Sequence, residues 1–118
     1  MPTILHITPR SDWDAAQTAG TPYRAASLDG EGFIHCSTAA QVLTPANALF
    51  RGQTGLVLLV VDEERLTAPV RYEDCYESGV EFPHVYGPID LAAVTDVVPF
   101  EPEPDGSFRL PTTLLPTR

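Results

Sequence analysis

Short apolar runs alternate with turn residues along the whole chain. Ile4, Leu5 and Ile7 make residues 3–8 a strand, and Pro9 ends it. Ser11 then suits a helix N-cap, with Asp12 and Asp14 favourably placed in the first turn. Trp13 and Ala16 share one helical face, and Gly20 suits the C-terminal stop. Residues 21–32 read as a loop, with a tight turn at Asp29-Gly30. A short central strand follows at 33–36. Thr38 and Gln41 have capping-box spacing for a short helix through Leu43. Thr44-Pro45 reads as a second N-cap and first helical residue, because proline is tolerated there and disfavoured further in. Ala46, Leu49 and Phe50 supply that helix's apolar face, and Gly52 closes it.

The second half is richer in strands. Leu56 to Val61 is a near-continuous apolar run, the pattern of a strand buried on both faces. Residues 62–66 read as a turn, and Val70 to Glu73 alternates like a half-buried strand. Residues 74–81 are polar and read as a loop. Prolines and a glycine bracket 82–88, which predicts a rigid, irregular segment. Asp90 suits the cap of a single turn through Ala93, and 95–100 reads as a strand. After the turn at 101–106, Ser107 to Leu110 is expected to pair back as a hairpin strand, leaving 111–118 as a loose tail. The order of elements predicts a single α+β domain over residues 1–118, with short helices early and strands later.

Composition narrows the function. A chain of 118 residues forms one domain with a real core, and 43% of it is hydrophobic. No apolar run approaches the ~20 residues a membrane span needs, and no signal peptide is visible, so a cytoplasmic protein is expected. The net charge is −9, lysine is absent and the seven arginines are scattered. That excludes an extended nucleic-acid surface, which needs clustered positive charge. Cys36 and Cys75 form no metal-type pair; a single disulfide between them stays open, but free buried thiols are the expectation for a cytoplasmic protein.

The chemistry concentrates in three segments, each holding one of the three histidines: Ile4 to Thr8 with His6, Glu31 to Thr38 with His35, and Phe82 to Pro88 with His84. Histidine serves as acid, base, hydrogen-bond donor or metal ligand, and beside apolar residues it is also a common structural group. Convergence of the three segments on one pocket is the working expectation. Ser37 and Thr38 double as helix caps. Cys36 is next to His35, but strand neighbours point to opposite faces, so a Cys–His dyad is disfavoured and Cys36 reads as core. Tyr86 can stack on a base or donate a hydrogen bond. Glu73 and Glu81 are candidate carboxylates, each with a competing reading as solvated surface. No glycine-rich phosphate loop is present.

The series His6-x-Thr8, Trp13, Gly20, Tyr23, Ser27-Leu28, Glu31 to Thr38, Gln41-Val42, Ala46-Asn47, Phe50 and Phe82 to Pro88 resembles a small bacterial family known as domain of unknown function 952. The resemblance covers about residues 3–100. It implies a fold like that of the ADP-ribosyltransferases, a split, mostly antiparallel β-sheet enclosing a cleft for NAD. His6-Ile7-Thr8 is similar to the His-Gly-Thr of those transferases, with isoleucine in place of glycine. His35 stands near the position of their stacking tyrosine, a substitution similar to that of the RNA 2′-phosphotransferases.

The resemblance therefore implies NAD or a related nucleotide as ligand. His6, Thr8, Tyr23, Ser27, Ser37 and Tyr86 are the ligand-binding candidates, and His35, His84 and Glu81 the catalytic ones. Glu81 is the first candidate for the late catalytic glutamate, with His84 as the alternative. No metal is expected. Two other readings stay open: a small-ligand-binding protein without chemistry, and a divalent-metal site made by the three histidines. Histidine spacing disfavours the second, because the chain has no HxH or HxxxH pair.

Overall fold

The apolar run at 56–61 becomes the middle of the molecule. In the computed structural model, which describes residues 3–74 and 77–114, it forms strand β3 (Leu56–Asp62), buried along its full length. Two antiparallel strands flank it: β1 (Thr3–Pro9), with His6 opposite Leu59, and β6 (Val94–Phe100), with Leu58 opposite Val98. Alternation along β3 feeds two cores. Val57, Leu59 and Val61 pack on one face with Ile4, Trp13 and Tyr23. Leu56, Leu58 and Val60 pack on the other with Leu5, Ala46, Phe100 and Phe108.

A second antiparallel sheet has the order β2 (Ile34–His35), β5 (Phe82–Val85), β4 (Val70–Glu73). Its register places Ile34, Val85 and Val70 in one row and His35, His84 and Arg71 in the next. The first row enters the core beside Ile4 and Leu59. The second therefore faces the opposite way. The two sheets meet at one bridge, where Leu5 N–H donates to the Ser37 carbonyl at 2.7 Å and Ser37 N–H donates to the Leu5 carbonyl at 2.8 Å. Beyond that bridge the sheets part. The result is an α+β domain with a split antiparallel sheet. None of its described helices is long and apolar enough to cross a membrane.

Helix α1 (Arg10–Ala19) buries Trp13 and stops at Gly20, whose φ of 69° is the left-handed conformation that glycine adopts without strain. Its start differs from expectation. Pro9, not Ser11, occupies the N-cap, because Arg10 N–H is already taken by the Gly55 carbonyl at the mouth of β3. The expected loop at 21–32 contains a short helix, α2 (Ala26–Gly30), so Asp29-Gly30 is a helix end rather than a tight turn. Helix α3 (Leu43–Leu49) begins before Thr44 and holds Pro45 in its first turn, where the backbone donor would have no helical partner anyway. Of its expected apolar face, Ala46 is buried, but Leu49 is 75% exposed.

Two later expectations also change. Residues 82–85 form a regular strand despite Pro83. The proline loses only a donor, and its carbonyl still accepts from Cys36 N–H at 3.1 Å. Ser107 to Leu110 forms no strand. Phe108 stacks on Phe100 instead, with ring centroids 4.7 Å apart. Asn47 of α3 satisfies the Phe108 backbone, accepting from its N–H at 2.7 Å and donating to its carbonyl at 3.5 Å. Of the expected loose tail, residues 112–114 form a single 3-10 turn. Residues 115–118 and Cys75 lie outside the described residues.

Candidate functional site

The parting of the sheets creates a cleft of about 690 Å³. It runs along the edge of β1 at Leu5 to Ile7, past His35 to Ser37, and is walled on the far side by α3 and by Phe82. This volume is in the range of small-molecule sites, and most of the wall is apolar.

His6 stands at the inner edge with both ring nitrogens engaged. Nδ1 lies 2.6 Å from the His35 carbonyl, and Nε2 lies 3.0 Å from Tyr23 Oη. A carbonyl only accepts, so Nδ1 carries the proton. Burial pushes the pKa of His6 down to about 4, against a smaller upward pull from the His35 carbonyl. The ring is therefore neutral near pH 7, and Nε2 accepts the Tyr23 proton. Thr8 Oγ1 lies 2.8 Å beyond Tyr23 Oη and can donate to it in turn. Burial raises the Tyr23 pKa to about 12, so the phenol keeps that proton. Thr8, Tyr23 and His6 thus form a buried clamp from β1 to the backbone of β2.

Around that clamp the other candidates divide. His35 is half-exposed at the mouth, and its Nε2–H donates to Glu31 Oε1 at 2.8 Å. Ser37 is 5% exposed, lines the cleft, and its hydroxyl makes no hydrogen bond to any other described residue. Ser27 also lines the cleft but spends its hydroxyl on the Phe33 carbonyl at 2.8 Å, tying α2 to β2. Cys36 is buried in the core, and burial pushes its thiol well above the usual range.

His84 sits opposite His35 in the β-ladder, with ring centroids 5.5 Å apart. It is fully buried and stacked on Phe33 at 4.1 Å, behind the cleft rather than in its wall. Its Nδ1–H donates to Glu73 Oε1 at 3.0 Å, and Tyr86 donates to the same oxygen at 2.6 Å. These two hydrogen bonds, Tyr86 first, hold the Glu73 carboxyl below its ordinary range. The Arg71 guanidinium lies 5.3 Å from the centre of the Tyr86 ring. Glu81 is exposed, outside the cleft lining, and engaged through its backbone carbonyl, which accepts from Gln41 Nε2 at 2.7 Å.

So the three histidine segments converge, with His35 as the hinge. Its carbonyl holds His6, and its ring touches His84. Sequence reasoning passed over Glu31, although the spacing Glu31-x-x-x-His35 stood inside the segment it singled out. It also passed over the α3 residues that build the far wall, because Leu49 and Phe50 read as core. Among the described residues no group of three His, Cys, Asp or Glu side chains could hold a metal.

The fold is shared with relatives. A family described as "Protein of unknown function (DUF952)" matches residues 7–97. The chain belongs to the DUF952 family. The crystal structure of protein CC0527 from Caulobacter crescentus superposes on it with a TM-score of 0.84 at 35% identity, covering 96% of this chain and 98% of that one. The solution NMR structure of CC0527 gives a TM-score of 0.79 at 36% identity, covering 93% and 94%. No curated protein matches the chain. In this DUF952 chain the matched span begins at Ile7 and ends at Val97, so it contains the cleft-lining segments of β2, α3 and β5.

Proposed function

We propose that the cleft is a nucleotide site taking the nicotinamide–ribose end of NAD or a related ADP-ribosyl compound, and that the chain catalyses glycosyl transfer there. What supports the reading is the form of the cleft. It lies where a split antiparallel sheet parts, and its largely apolar wall carries the Glu31–His35 pair at the mouth and the Ser37 hydroxyl inside, with Ser27, Thr44 and Ser78 also in the lining. The description of CC0527 states no activity, so the ADP-ribosyltransferase resemblance enters as part of this proposal.

In this reading the ring of the ligand lies along the wall formed by Phe82 and α3, and Ser37 hydrogen-bonds its polar substituent. The bond from the ribose anomeric carbon to the ring nitrogen breaks, and the ring leaves with the electron pair. An acceptor hydroxyl adds to that carbon and gives its proton to Glu31, which His35 holds in place. Glu31, rather than Glu81, thus serves as the carboxylate. His6, Thr8 and Tyr23 keep the inner wall rigid, because their hydrogen-bonding groups are already spent on one another. His84, Tyr86 and Glu73 fix the strand that carries His35 from behind.

Calorimetric titration with NAD, coupled to a nicotinamide-release assay, tests this. Wild type should bind NAD and release nicotinamide. Glu31→Gln should slow release at least tenfold while binding persists. Absence of any heat or thermal shift at millimolar NAD would sink the nucleotide reading. A second reading, a cleft that binds without chemistry, is favoured by the exposed place of Glu81 outside the lining. Binding without release in wild type would establish it.

A further inference from the structure

We infer that the cleft selects its ligand by positive charge, admitting a compact organic cation of the alkylated-pyridinium class and leaving phosphate groups outside. The inference rests on the nucleotide reading above and narrows it to one end of the ligand.

The described lining contains one acidic side chain, Glu31, and no arginine. Lysine is absent from the whole chain. Of the two histidines in the lining, His6 has both ring nitrogens committed to the His35 carbonyl and to Tyr23, and His35 gives its Nε2–H to Glu31. Neither of those donors is aimed at a ligand phosphate. A pyrophosphate needs cationic or multiple N–H donors to replace its lost water, and the cleft supplies none from its described side chains.

A cation meets the opposite situation. Glu31 stands at the mouth and Phe50 and Phe82 contribute rings to the wall; a carboxylate attracts positive charge, and so does the face of an aromatic ring. The net charge of −9 adds a long-range field of the same sign. Ser37 supplies an interior hydrogen-bonding hydroxyl with no other claim on it among the described residues. Such a site suits a planar cation carrying one polar substituent. The cationic ring of NAD fits that description, and its two phosphates do not.

The test is a titration series of 1-methylnicotinamide, nicotinamide, nicotinate and ADP-ribose, which present a cation, a neutral ring, an anion and the phosphate end alone. Wild type should bind 1-methylnicotinamide about fivefold or more tightly than nicotinamide, and should bind nicotinate and ADP-ribose most weakly. Added salt should erode the preference for the cation. Glu31 is more than half exposed, so Glu31→Gln should fold and bring the affinity for 1-methylnicotinamide down to that for nicotinamide. Ser37→Ala should weaken both amides alike. ADP-ribose or nicotinate binding as tightly as 1-methylnicotinamide would overturn the charge selection and leave the nucleotide reading standing. A preference for the cation that survives in Glu31→Gln would overturn its assignment to that carboxylate. Binding of none of the four would overturn both readings.

Discussion

His6 makes the stability of this protein depend on pH in a way that can be worked out from the structure. Folding drops its pKa from 6.5 to about 4, chiefly through burial. As pH falls below 6.5 the unfolded chain takes up a proton that the folded chain refuses until about pH 4. Stability from this group is therefore complete above pH 6.5, falls as pH drops, and levels off below about 4. Each tenfold loss of proton affinity corresponds to about 1.4 kcal/mol, so the full effect is on the order of 3 kcal/mol. Between pH 7.5 and pH 5.0 the loss should be about 2 kcal/mol.

Urea unfolding at those two pH values measures it, with the m-value as a check on two-state behaviour. Aspartates and glutamates stay mostly ionised at pH 5.0 and contribute little over that interval. His6→Gln isolates the residue from His35 and His84. Glutamine can still donate to the His35 carbonyl and accept from Tyr23, so the variant should fold with reduced stability. Its pH dependence should be flatter than wild type by about 2 kcal/mol over the interval. Equal pH dependence in the two proteins would refute the reasoning. It would mean that His6 is charged in the folded state, with Nε2 donating to Tyr23 rather than accepting.

Cys36 should resist a thiol reagent in the folded protein, with Cys75 replaced, because it is 4% exposed and its thiolate is disfavoured by burial; labelling faster than unfolding would show that the core opens locally. Gly87→Ala should cost about 1–3 kcal/mol, because a Cβ there would lie 2.7 Å from the Cβ of Ala68. Thermal melts of Gly87→Ala and of Gly87→Ala with Ala68→Gly should show the second substitution restoring stability.

Much of the frame was legible in the sequence because it follows from local period and composition. The run Leu56 to Val61 has no polar position for a solvent face, and it became the strand with a core on each side. Gly20 marked a helix end that needed a positive φ. The failures came where a distant partner decided. Proline at 83 argued against a strand, yet its carbonyl was all that Cys36 required. Ser107 to Leu110 had a strand-like pattern, but the Asn47 side chain serves the Phe108 backbone as a neighbouring strand would. Helix α2 has no side-chain cap to announce it.

The same distinction explains the histidines. All three sit in short apolar segments, and nothing local separates their roles. His6 lies on the strand whose alternate residues, Ile4 among them, enter the core with Tyr23, so burial makes it neutral and structural. His35 and His84 share a row of the second sheet, facing away from that core, because Ile34 and Val85 occupy the row that faces it. Within that row, His84 is fully buried against Phe33 and outside the cleft lining, whereas His35 is half-exposed and lines the cleft. A one-residue slip in the pairing of β2 with β5 would exchange the two rows, sending His35 into the core and Ile34 to the mouth. The Leu5–Ser37 bridge fixes the position of that segment against the first sheet. The cleft and its polar groups therefore depend on the backbone pairings Leu5 with Ser37, Ile34 with Val85 and His35 with His84, whose partners are too far apart for any local sequence window to contain.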